Sequence, residues 1–273
     1  MSATLQQLRL AGRHSALLKE LRRAFARSER TREGCLAIES VRIVEEAVRS
    51  GLRFRAVFFA ESAESTARRL LPQLGSHVET LLVPDRLFAD VVATESPQGV
   101  AALVHLKDLS LEDALRAPEP LMLLAAGIQD PGNLGTMIRS AEAFGAGGVL
   151  LGEKTVSPFN PKVVRAASGS LFRLPVIPVA LAETVGTLRG RSLRVVAASS
   201  HKGTRLDQAR LEGPLALVVG NEATGIPRDV LKLADELLMI PHTPRVESLN
   251  AAVAASIVLY EAARQRRSGD GGP

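Results

Sequence analysis

The chain has 273 residues, 34 Lys+Arg against 29 Asp+Glu, a formal net charge of +5, 46% hydrophobic and 23% charged residues. That describes a globular protein able to bury a core. No apolar stretch approaches the ~20 residues that cross a bilayer, the N-terminus lacks the layout of a signal peptide, and a cytoplasmic location is expected. Cys35, the single cysteine, excludes an internal disulfide and a thiolate metal cluster. No Trp and one Tyr disfavour binding by extensive base stacking.

Leu5, Leu8, Leu17, Leu18, Leu21 and Phe25 recur at helical spacing and predict an amphipathic helix over about 5–28. Within residues 1–32, Arg9, Arg13, Lys19, Arg22, Arg23, Arg27, Arg30 and Arg32 face only Glu20 and Glu29, a local bias toward polyanions. A short strand at 34–40, a helix at 41–51 closed by Gly51, a strand at 55–62, a helix at 64–75 and strands at 79–84 and 98–106 follow. This alternation predicts a small α/β domain over 1–106. The polar, proline-ended stretch 107–120 is a linker. Beyond it, apolar runs at 121–127, 147–152, 174–179, 193–199, 215–220 and 236–241 are expected parallel strands covered on both faces. Helices fall at 134–145, where Asn133 is placed as a cap, at 161–169 behind Asn160 and Pro161, and at about 247–266. The second domain is 121–266, and 267–273 reads as a disordered tail.

In open parallel sheets ligands gather beyond the carboxyl ends of the strands, and three loops there carry unusual residues. "GIQDPGNLGTMIRSAEAFGA" (127–146) holds Asn133 and Arg139; "LALVVGNEATGIP" (215–227) holds Gly220, Asn221 and Glu222; "IPHTPRVESLN" (240–250) holds Ile240, Ser248, Leu249 and Asn250. Taken singly, Asn133, Ser248 and Asn250 fit helix caps and Arg139 a surface cation. The glycines of "GIQDPGNLG" have the wrong spacing for a dinucleotide fingerprint, and no phosphate-loop motif is present. The five histidines show no metal-ligand spacing, so no metal is expected.

Together, in this order and at strand ends, the three loops closely resemble the SpoU/TrmH family of SPOUT methyltransferases over roughly 120–263. The N-terminal part is similar, more loosely, to the L30-like substrate-binding domain of rRNA-directed members. "IES" (38–40) stands where such domains usually show "VEG", and His242 stands where a smaller or apolar residue is usual. The resemblance implies an L30-like α/β domain followed by a SPOUT parallel-sheet domain with a C-terminal trefoil knot, and a homodimer formed through that second domain. It implies S-adenosyl-L-methionine (AdoMet) as cofactor, held by Gly220, Ile240 and Leu249 largely through main-chain atoms. It implies methylation of a ribose 2′-hydroxyl of RNA, 23S rRNA foremost, with Asn133, Arg139, Glu222, Ser248 and Asn250 as catalytic residues. Two alternatives stay open: a tRNA-directed enzyme, and a non-catalytic RNA-binding ribosome-assembly protein derived from such an enzyme.

Overall fold

The computed structural model describes residues 9–10, 12, 15–94, 96–221 and 223–269. By contact the chain forms two units, Met1–Asp108 with Ser157–Arg173, and Leu109–Val156 with Leu174–Pro273.

The first unit runs β1 (Arg9–Leu10), α1 (Ala16–Arg27), β2 (Cys35–Glu39), α2 (Val41–Arg49), β3 (Arg53–Ala60), α3 (Glu64–Leu70), β4 (Glu79–Val83), α4 (Asp85–Ala89) and β5 (Val100–His105). Its five strands order as β1-β4-β3-β5-β2, with β2 and β3 antiparallel to β5 and the remaining pairs parallel. Helix α1 buries Leu18, Leu21, Ala24 and Phe25, one stripe at helical spacing, against this sheet. Of the helix expected over 5–28, the described helix is Ala16–Arg27. Arg9 and Leu10 instead pair with Leu81 and Leu82 at the sheet edge; Leu5 and Leu8 lie outside the described residues.

Helix α2 starts from Ser40, whose hydroxyl accepts from the Ile43 N–H at 3.4 Å. Ser40 has φ 80° and ψ 147°, a region that costs a residue with a Cβ of order 1–3 kcal/mol. Beside it Glu39 is 4% exposed. Its carboxylate accepts from the Arg165 guanidinium and from the Ala93 N–H. Burial pushes the Glu39 carboxyl above the usual range, and Arg165 opposes that shift.

Arg165 belongs to the segment 157–173, which the sequence pattern assigns to the second domain, 121–266. In the structure that segment clusters with the first unit. The Ser157 hydroxyl donates to the Ser28 carbonyl, Arg173 donates to the Ser50 hydroxyl at 2.8 Å, and Arg30 stacks 5.0 Å from the Phe159 ring centroid. These contacts join residues far apart in sequence, and periodicity does not encode them.

The second unit holds α5 (Leu111–Ala114), β6 (Leu121–Ala126), α6 (Pro131–Ala143) and β7 (Gly148–Leu151). Helix α7 (Pro161–Ala167) is the excursion into the first unit. There follow β8 (Val176–Pro178), α8 (Leu181–Gly190), β9 (Arg194–Ser199), β10 (Thr204–Arg205), β11 (Leu215–Gly220), α9 (Arg228–Leu231), β12 (Glu236–Met239) and α10 (Ala251–Gly269). The expected linker 107–120 thus contains a helical turn, fixed by a reciprocal capping box between Ser110 and Asp113. The seven strands are all parallel in the order β10-β12-β9-β11-β6-β7-β8. All six side chains of β6 are buried, as a strand covered on both faces requires.

Helix α10 continues to Gly269, into the stretch expected as a tail; residues 270–273 lie outside the described residues. Its end is fastened by side chains. Arg266 donates to the carbonyls of Glu119, Leu211 and Gly213, and Gln265 exchanges hydrogen bonds with Ala209 and Leu211. Partial burial lowers the pKa of Arg266 and the Glu119 carboxylate opposes that shift, while the carbonyls hydrogen-bond the cation. Among the described residues no helix is long and apolar enough to cross a membrane.

Candidate active site

Three neighbouring strands of the second unit, β12, β9 and β11, end at one cavity of about 150 Å³. Its wall includes Ala198 and Ser199 at the end of β9 with Ser200 after them, Gly220 at the end of β11 with Asn221 after it, and Ile240 and His242 beyond β12. Ser248, Leu249, Ala251 and Ala254 close it from the start of α10. This is where the carboxyl ends of parallel strands place ligands. The sequence-predicted Gly220, Ile240, Leu249 and Ser248 are all in the wall.

Gly220 is required by close approach. A Cβ there would lie 2.5 Å from the Gly225 carbonyl carbon and 2.6 Å from the Ile226 nitrogen. The loop after it folds tightly: the Asn221 side-chain oxygen accepts from the N–H groups of Ala223 and Thr224 at 2.8 and 3.1 Å. The Asn221 amide nitrogen donates to the Gly127 carbonyl at 3.1 Å, tying the second loop to the first. Glu222 lies outside the described residues.

Asn133 is not the cap that its position before Leu134 suggests. Helix α6 starts three residues earlier, behind Asp130, whose carboxylate accepts from the Asn133 N–H at 2.7 Å. Pro131 occupies the first helical position, where the missing N–H does no harm. The Asn133 side chain instead reaches the third motif, and its Oδ1 accepts from the Asn250 amide nitrogen at 2.9 Å. Asn250 in turn caps α10, its Oδ1 accepting from Ala252 and Val253. The last helix therefore begins at Ala251, not at 247, and Ser248 precedes it as an exposed wall residue. A hydroxyl contact of 2.7 Å between Ser140 and Ser256 holds α6 against α10 further along.

Arg139 stands apart from the cavity wall. It is exposed, one of a stripe with Gly132, Thr136 and Ala143 on α6, and makes no ion pair among the described residues. The three motif segments are nonetheless joined: Asn221 links the second to the first, and Asn250 links the third to the first. Asn221, Ser199 and Ser200 are not among the expected site residues. The signal that could have found them is small polar side chains directly after two apolar strands.

Residues 120–260 match the model of the SpoU rRNA Methylase family, and residues 16–102 match that of the MRM3-like substrate binding domain. The chain is 33% identical over 243 residues to the 23S rRNA (guanosine(2553)-2′-O)-methyltransferase RlmP of Bacillus subtilis, covering 89% of this chain and 94% of that protein. It is 32% identical to the 23S rRNA (uridine(2479)-2′-O)-methyltransferase of Streptomyces viridochromogenes, over 89% of this chain and 87% of that one. The crystal structure of the SpoU methyltransferase AviRb from S. viridochromogenes in complex with the cofactor AdoMet superposes with a TM-score of 0.83. That match has 30% identity and covers 93% of this chain and 99% of the other.

Proposed function

Because this chain belongs to the SpoU rRNA methylase family, we propose that it transfers a methyl group from AdoMet to a ribose 2′-hydroxyl of RNA, with 23S rRNA as the substrate. The observation that carries this reading is the hydrogen-bonded union of three separate motif segments beside one strand-end cavity. The wall suits the cofactor: Gly220, Ile240 and Leu249 offer main-chain groups, alanines keep the surface low, and Ser199, Ser200 and Ser248 offer hydroxyls. When bound, the sulfonium supplies an already electrophilic methyl group.

The protein's task is then to aim the 2′-oxygen and stabilise the charge it develops. Ser248 and the Asn133–Asn250 pair orient the ribose, and Glu222 helps to position substrate or neighbouring motif residues. Arg139 clamps an adjacent phosphate and stabilises the alkoxide. It does not take the proton, because a guanidinium keeps its own protons in a protein and does not act as a base. The proton leaves to a substrate phosphate or to water.

In the first unit, Lys19, Arg23, Arg27, Arg30 and Arg32 line a groove of about 680 Å³. We assign them to RNA phosphates, which makes affinity fall steeply with salt. Val253 and Tyr260, 48% and 50% exposed and seven residues apart on α10, support dimerisation through the second unit. The carbonyl clamp on Arg266 is consistent with the family's knotted C-terminus, which we infer for this chain too. Action on ribosomal RNA fits a cytoplasmic location.

The test is AdoMet binding by calorimetry, followed by tritiated methyl transfer to unmodified 23S rRNA and tRNA. Cofactor binding with transfer to neither RNA overturns the enzymatic reading. Transfer to tRNA alone reassigns the substrate.

A further inference from the structure

The polar side chains of the cavity wall differ in what they have left to offer. Asn221 is spent at both ends, on the N–H groups of its own loop and on the Gly127 carbonyl. The Ser199 hydroxyl accepts from the Lys202 N–H at 3.3 Å. His242 is different. Its Nδ1–H donates to the Ile240 carbonyl at 2.8 Å, which fixes the ring and decides which nitrogen carries the proton. An uncharged imidazole tethered this way presents Nε2 as a pure acceptor, and Nε2 makes no hydrogen bond among the described residues. The ring is half-buried, and its tether spares most of the cost of ordering it when a ligand arrives.

The rest of the wall narrows what such an acceptor meets. Val219, Ile226 and Leu238 give apolar surface for a flat heterocycle, and a heterocycle buried there needs partners for its edge groups. Main-chain N–H groups serve its ring nitrogens, but its exocyclic amino group needs an acceptor. The Ile240 carbonyl of the wall already accepts one hydrogen bond, from His242 itself.

We propose that His242 is a specificity residue for the methyl donor: its Nε2 accepts a hydrogen bond from the 6-amino group of the donor's adenine, selecting adenosyl compounds over those lacking that amino group. The assignment rests on the reading of this cavity as the AdoMet site. No bond is made or broken; the histidine acts on affinity alone.

The probes are S-adenosyl-L-homocysteine and its 6-deamino analogue, titrated by calorimetry into the full-length protein and into His242→Ala. Loss of the amino group weakens binding to the wild type about tenfold, the size of one hydrogen bond, and leaves binding to His242→Ala within about twofold. Equal losses in the two proteins overturn the proposal. Wild-type protein that binds neither ligand overturns the cofactor reading as well. A measurement that needs no variant is the ¹⁵N resonance of the His242 Nε2. It moves with the adenosyl ligand and stays with the deamino ligand; the same movement with both again overturns the assignment.

Discussion

The side chain of Asn250 faces two ways: its oxygen caps helix α10, and its nitrogen donates to Asn133 Oδ1 at 2.9 Å. One residue thus starts a helix and ties the third motif to the first. The helix-cap reading of this asparagine holds for its oxygen, and its nitrogen makes the contact between the motifs.

These roles separate by substitution. Asn250→Asp keeps a cap of equal quality but replaces the donor with an oxygen facing another oxygen. Thermal stability of this variant stays within about 1 kcal/mol of wild type, while methyl transfer falls about 100-fold through misplacement of the ribose. Asn250→Ala loses both, with unfolding eased by about 1 kcal/mol. Full turnover in Asn250→Asp would remove the Asn133 contact from the mechanism.

Arg139 is exposed on α6 and has no ion-pair partner among the described residues, so its removal leaves the fold intact. Arg139→Ala retains AdoMet affinity in calorimetry and loses turnover by at least about 100-fold. Arg139→Lys, a cation without the planar fork, recovers little. Turnover retained in the alanine variant takes Arg139 out of the active site.

Much of this is legible in the sequence, for identifiable reasons. Near-continuous apolar runs such as "LMLLAA" mark parallel strands, and six of them fall at β6, β7, β8, β9, β11 and β12, but β8 and β12 are only partly buried and not covered on both faces as expected. Gly220, Ile240, Ser248 and Leu249, expected around one ligand, share one wall. The start of α6 is misplaced because "DPGN" reads as a turn, although Asp130 before Pro131 is itself a cap followed by a first-turn proline. Helix α8 goes unassigned although Leu181, Val185 and Leu188 recur at helical spacing, because the glycine and threonines between them are poor helix formers. The allegiance of residues 157–173 depends on pairs such as Glu39 with Arg165, whose partners are remote in sequence.

Gly220 tolerates no side chain without a shift of the 225–226 backbone. Gly220→Ala therefore destabilises the protein by about 1–3 kcal/mol. It also weakens AdoMet binding more than about tenfold by pushing that backbone into the cavity wall, an effect on the order of the same strain. Unchanged calorimetric affinity would show that the loop yields in some other direction.

Ser40 offers a gain in stability. Its φ of 80° suits glycine, and a glycine gives up only a few tenths of a kcal/mol as a cap. Ser40→Gly raises stability by about 1 kcal/mol in urea unfolding. Ser40→Ala keeps the strain, loses the hydroxyl bond to Ile43, and lowers stability by about 1 kcal/mol. Equal behaviour of the two variants would argue against backbone strain at this residue.

The Glu39–Arg165 pair gives a pH signature. Burial raises the Glu39 carboxyl in the folded protein and Arg165 pulls it back, so Arg165→Met raises it further. Between the unfolded and folded values the native state then holds the extra proton, and stability falls as pH rises through that window. The cost of Arg165→Met is accordingly about 3 kcal/mol near neutral pH and smaller in mild acid, read from unfolding curves at both. A cost independent of pH contradicts the burial of this carboxylate.

Arg266, held by three carbonyls, fastens the far end of the helix whose first turn walls the cavity. The segment that closes the cavity at Leu249 is in this way anchored from the opposite end of the same helix.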